Sequence, residues 1–141
     1  MIQLDSKTDI LAKKMIDASE EQRIEMARKR TKELIELPED QLVKQIENTI
    51  LIFSKLSDKD LKAAVKAIIL TLEELPPKKK RKFLSARAKA GFSVPLDLNN
   101  KVLKAGVDAT KEISEESYLL FKDQFVKAYT EHNVPIPEFI A

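Results

Sequence analysis

The stretch Leu56-Ser57-Asp58-Lys59-Asp60-Leu61-Lys62-Ala63-Ala64-Val65-Lys66-Ala67-Ile68-Ile69-Leu70-Thr71-Leu72-Glu73-Glu74-Leu75-Pro76 runs from one helix-start signal to the next. Ser57 is a good N-cap because its hydroxyl accepts an orphan backbone N–H, and Asp58 and Asp60 place carboxylates at the positive end of the helix dipole. Leu61, Val65, Ile68 and Leu72 then fall on one helical face. The same junction, an apolar residue followed by Ser or Pro, stands at Ala18-Ser19, Leu37-Pro38, Leu75-Pro76, Val94-Pro95 and Ile113-Ser114, each 19 residues after the last. Proline suits these starts because the first helical turn does not need its missing donor.

This rhythm predicts helices over about 20–36, 39–55, 58–74, 77–90, 96–112 and 115–131, with a shorter one from Thr8 to Asp17 before them. Gly106 and Asn99-Asn100 weaken the segment 96–112. The expected fold is all-α: one domain over 1–141, built as a compact bundle of six or seven short helices, with 133–141 a proline-containing tail. The 38-residue period of helix pairs raises the alternative of a short solenoid of helical hairpins. That alternative requires equivalent apolar positions in every unit, whereas the unit from Pro76 to Val94 offers only Phe83, Leu84, Phe92 and several alanines.

A chain of 141 residues and 16.1 kDa folds to a surface of about 7,400 Å² from about 23,000 Å² extended, enough burial for a self-sufficient domain. It has no cysteine, which excludes thiol nucleophiles, zinc ribbons and iron–sulfur clusters. Its longest uncharged apolar stretches, around Thr49–Phe53 and Ala67–Leu72, fall far short of the roughly 20 residues that span a bilayer. Met1-Ile2-Gln3-Leu4-Asp5 lacks the basic region and apolar core of a secretory signal. A cytoplasmic protein with no membrane association is expected. The composition is rich in Lys, Glu, Ile and Leu and almost free of glycine, as in thermophile proteins, and points to a prokaryotic source.

Enzyme chemistry finds little support. The single histidine, His132, falls at a helix end where its ring complements the dipole, and one imidazole cannot furnish a di-iron bundle. Phosphate-cradling loops need clustered glycines, and Gly91 and Gly106 stand 15 residues apart. Paired carboxylates such as Glu20 with Glu21, Asp58 with Asp60, Glu73 with Glu74 and Glu115 with Glu116 sit at helix ends, where the dipole and solvation account for most of them. The expectation is a non-enzymatic binding module without cofactor or metal.

One segment breaks the local rules. Residues 76–96 carry seven cations, Lys78, Lys79, Lys80, Arg81, Lys82, Arg87 and Lys89, and no acid, while 1–75 and 97–141 are net −2 and −3. Most of these cations sit in the first turns of a predicted helix, where the dipole favours anions. On a helical wheel Lys78, Lys82, Ser85 and Lys89 form a strip beside Arg81, with Phe83, Ala86 and Ala90 as a narrow buried face. The seven are candidate ligands for nucleic-acid backbone or another polyanion, contacting phosphate with little sequence preference. If all were free they would neutralise roughly five to seven phosphates. The competing expectation is pairing with neighbouring acids such as Glu73, Glu74 and Glu112.

The run Pro77-Lys78-Lys79-Lys80-Arg81-Lys82 resembles the short monopartite nuclear-import signals over six residues. Such a signal acts when flexible and exposed, whereas this run leads into a helix. The aromatic stripe Tyr118, Phe121, Phe125 and Tyr129 is expected in the core. The tail supplies Ile136, Phe139 and Ile140, which either fold back on the bundle or contact a partner, making a protein-interaction or homo-oligomerisation module the alternative function.

Overall fold

The computed structural model describes residues 6–140; the N-terminal residues 1–5 and Ala141 lie outside the described part, and with them the Met1–Asp5 reading. Seven α-helices fill it: α1 Ser6–Ile16, α2 Glu20–Ile35, α3 Glu39–Phe53, α4 Asp58–Glu73, α5 Pro77–Gly91, α6 Leu96–Ile113 and α7 Glu115–Glu131. A 3-10 turn at Glu138–Ile140 follows. Every start from α2 to α7 is at the residue the 19-residue rhythm marks. α1 stops at Ile16 instead of running on into α2.

The two kinds of junction close their helices differently. Ser19, Ser57 and Ser114 each accept the backbone N–H three residues on, at 3.2, 3.2 and 3.0 Å. Ser19 completes a capping box, since its own N–H donates to Gln22 Oε1 at 2.9 Å. Pro38, Pro76 and Pro95 occupy the N-cap positions of α3, α5 and α6 and offer no side-chain cap.

The architecture is an all-α bundle in two layers. Each helix packs chiefly on the next but one, so α2, α4 and α6 form one layer and α1, α3, α5 and α7 the other. Immediate neighbours touch little apart from α6 and α7, so hairpins are not the packing unit. Leu42, Ile50, Phe53, Leu72, Leu103 and Phe125 lie fully buried between the layers. Ala86, Ala88 and Ala90 of α5 are also fully buried, giving this helix a broader inward face than the wheel predicts. Small side chains there let α5 seat between α3 and α7.

The regularity reaches individual polar contacts. Lys82 Nζ donates to the carbonyls of Ile35 and Leu37 at 2.8 and 2.9 Å, and Lys101 Nζ donates to those of Ser54 and Leu56 at 2.8 and 3.2 Å. Donor and acceptors all advance by 19 residues from one set to the other. Each lysine thus reaches from the third helix on, α5 to α2 and α6 to α3, to close a helix C-terminus, where carbonyls lack partners.

The chain's last turn closes the stack. Asn133 takes a left-handed backbone, φ 56°, one junction interval after Ser114, and Pro135 and Pro137 forbid another helix. Instead Ile140 is buried at 1 % exposure against α6, and Tyr118 Oη donates to its carbonyl at 3.0 Å. No described helix is long and apolar enough to cross a membrane.

Candidate functional site

α5 carries all seven cations of the basic segment, and the layered packing separates them into three groups. Lys80, Lys82 and Arg87 are committed to the fold. Lys80 pairs with Glu73 at 3.0 Å, and that carboxylate also accepts from Ser117 Oγ at 2.5 Å. Burial raises the Glu73 pKa, but the Ser117 hydroxyl and the Lys80 charge outweigh it, so the net direction is downward. Lys82 closes the C-terminus of α2. Arg87 points between the layers: Nη1 donates to Asn99 Oδ1 at 2.8 Å and the guanidinium lies 5.8 Å over the Phe125 ring.

Lys79 and Lys89 hold surface partners where α2 gives way to α3, Glu36 in the turn at 3.2 Å and Glu39 at the start of α3. Only Lys78 and Arg81 are exposed without an ion-pair partner among the described residues. The sequence expectation of pairing is therefore met by different acids than those named: Glu73 alone is one of them. Glu74 instead takes Arg28 Nε and Nη2, both at 2.8 Å. Glu112 takes Lys62 at 2.5 Å and Lys66 at 3.6 Å. The hydrogen bond from Arg28 holds the Glu74 carboxyl below its ordinary range, and that from Lys62 does the same for Glu112.

Because Lys82 and Lys101 do equivalent work, removing either should have a similar effect. We expect Lys82→Met and Lys101→Met each to lower stability by about 1–2 kcal/mol, by stranding carbonyls that a charged donor satisfies. Lys78→Met should stay within about 0.5 kcal/mol of wild type, as surface substitutions do. Urea melts of the three variants check this; equal midpoints for Lys82→Met and Lys78→Met would remove the capping role.

The other candidate residues are placed as follows. Ile140 lies in the core of its own chain and Phe139 packs partly buried against it, leaving only Ile136 exposed, at 39 %. The tail therefore folds back, and a partner contact through all three apolar residues would require its release. His132 is the C-cap of α7, its Nδ1 donating to the Ala128 carbonyl at 2.9 Å, with the ring 4.8 Å from that of Phe92. Phe121, Phe125 and Tyr129 are core residues, as their spacing predicts, and Tyr118 is half-buried.

Sequence reasoning reads Asn99 only as weakening the start of α6, whereas it is 1 % exposed and joins Arg87 to Tyr129. The register gives no signal there, since α2 has Arg23 and α4 has Leu61 at the equivalent positions. Among the described residues no cluster of His, Asp and Glu could hold a metal ion. The chain matches no protein-family model, no curated protein and no solved structure.

Proposed function

We propose that the protein is a cytoplasmic, non-enzymatic module that binds nucleic-acid backbone, or a similar polyanion, through the exposed edge of α5. The observation that carries this reading is the pair Lys78 and Arg81, exposed and unpaired at a helix start with neither a side-chain cap nor an acidic residue in its first turn. The other proline starts carry acids instead, Glu39 and Asp40 on α3 and Asp97 on α6. Lys79 and Lys89 can join them, because surface ion pairs contribute only about 0–1 kcal/mol and exchange readily for phosphate.

Glu36 and Glu39 beside them oppose an approaching polyanion. The interface is therefore weaker than seven free cations would make it. Two to four neutralised phosphates correspond to a log–log salt slope of about −2 to −4. Fluorescence anisotropy of labelled duplex DNA, single-stranded DNA and RNA over a salt series tests it. Wild type should bind at low salt with that slope and without sequence preference, while Lys78→Ala, Lys79→Ala and Arg81→Ala combined should abolish binding. Absence of low-salt binding by wild type, or equal binding by the triple variant, overturns the reading.

A further inference from the structure

Close packing leaves few spaces larger than a water molecule inside a folded chain, yet a cavity of about 80 Å³ lies between the two layers of this bundle. Its wall takes residues from all seven helices, from Thr8 and Leu11 of α1 to Phe121 of α7. The cavity therefore follows the row α1, α3, α5, α7, in which neighbouring axes stand about 8–10 Å apart. Spread over a row of that length, 80 Å³ makes a narrow slot and not a round chamber. Short residues keep it open: Ala27, Thr31 and Thr49 line it, as does Gly106, which has no side chain.

Five side chains of the wall are polar, Thr8, Arg30, Thr31, Thr49 and Arg87. Thr49 Oγ1 donates back to the Gln45 carbonyl at 2.9 Å. Arg30 sends Nη1 to Glu33 at 3.2 Å, and Nη2 to Gln45 Oε1 and Thr8 Oγ1 at 3.1 and 3.4 Å. Arg87 Nη1 serves Asn99 Oδ1, and its Nη2 has no surface open to a water-sized group. What faces the space is therefore chiefly methyl, methylene and ring surface. Each guanidinium is engaged by its own neighbours or shut off from the cavity, so a charged guest would lose its hydration without an anchor. A space of this chemistry stays dry and takes apolar guests.

We propose that the cavity binds one uncharged, unbranched alkyl chain, laid along the row past Ile50, Ile69 and Leu103. At about 10–15 Å³ for each water-sized group, the space admits about five to eight carbons in file. The linear shape follows from the wall. A guest that runs along the row meets apolar surface from both layers, whereas a branch must push apart side chains that are already packed. Each methylene taken out of water strengthens binding about fourfold until the space is full. The site is inside the bundle and apart from the exposed edge of α5, so either can stand without the other.

The probe is 1-hexanol, with its branched isomer 3,3-dimethyl-1-butanol as the shape control and sodium hexanoate as the charge control. Methyl NMR titrations of the full chain should show saturable shifts at Ile50, Ile69 and Leu103 with a Kd of about 1 mM, and none at the exposed Leu119. The branched alcohol and hexanoate should each bind about tenfold more weakly. From 1-butanol to 1-decanol affinity should climb about fourfold per methylene and level off at about eight carbons. Ala27→Leu, which fills the cavity from α2, should abolish the shifts. Gly106→Ala, which narrows it with a Cβ 3.3 Å from Phe121 Cζ, should weaken 1-hexanol about threefold or more, and decides the matter alone if Ala27→Leu does not fold. No saturable shift in wild type, shifts of Leu119 that track those of the core, or equal binding of the branched isomer or of hexanoate would each overturn the proposal. So would affinity still rising at 1-decanol, or unchanged binding in the variants.

Discussion

Gly91→Ala is expected to lower stability by about 2–4 kcal/mol, although the same exchange in an ordinary helix interior raises it by about 1 kcal/mol. The added methyl falls 2.6–2.8 Å from three atoms of the Asn99 side chain. Asn99 has little freedom to move, since it is 1 % exposed and bonded on both sides, to Arg87 and to Tyr129. Overpacking at this level and the loss of a buried hydrogen bond each cost about 1–3 kcal/mol. Gly106→Ala is the control: its nearest contact is 3.3 Å from a ring edge, and it should remain within about 1 kcal/mol of wild type. Chemical denaturation of both variants decides the point. A Gly91→Ala protein as stable as wild type would show that Asn99 is not held, whereas recovery on adding Asn99→Ala would locate the clash.

The second large effect has opposite signs in two variants of the same network. Asn99→Leu alone should destabilise by about 2–4 kcal/mol, because it strands a buried guanidinium that already has one unsatisfied nitrogen. Arg87→Met, Asn99→Leu and Tyr129→Phe together should stabilise by about 1–3 kcal/mol, because polar groups removed as a set leave nothing unpaired. Leucine at 99 and phenylalanine at 129 are the residues the register supplies elsewhere, at Leu61 and Phe53. Burial pushes the Arg87 guanidinium down to about 10, well below its ordinary range. The resulting handicap is fully present below pH 10 and is relieved as pH rises above it, where the unfolded chain holds the proton longer. Wild type should therefore gain on the triple variant above pH 10. Thermal melts of the three proteins across that range test both the sign and the window, and a triple variant less stable than Asn99→Leu would refute the argument.

Helix positions are legible in this chain because caps act locally: Ser19, Ser57 and Ser114 bind N–H groups three residues away, and the prolines restrict their own backbone. Neither depends on tertiary structure. The fate of each cation does depend on it. Lys79 and Lys89 find Glu36 and Glu39 because α5 lies across the turn between α2 and α3, a neighbour set by packing on the next helix but one. Glu74 is close to the basic run in sequence yet takes Arg28 of α2, the neighbour of α4 within its own layer. The poor apolar content of the Pro76–Val94 unit is legible too, but not its meaning. Only the folded neighbours reveal that Arg87 turns inward while Gly91 admits Asn99 from α6.

Packing each helix chiefly on the next but one sets most contacts between helices about two junction intervals apart, with α6 on α7 at one interval and α3 on α6 at three. Each helix of such a bundle is held by the few helices it packs on, so those with the fewest tertiary contacts open first. Opening should then begin at the ends and move inward. Amide exchange would be fastest in α1, which has a layer neighbour on one side only, and slowest in α3, α4 and α5. At the other end, Ile140 docked on α6 acts as a brake on fraying.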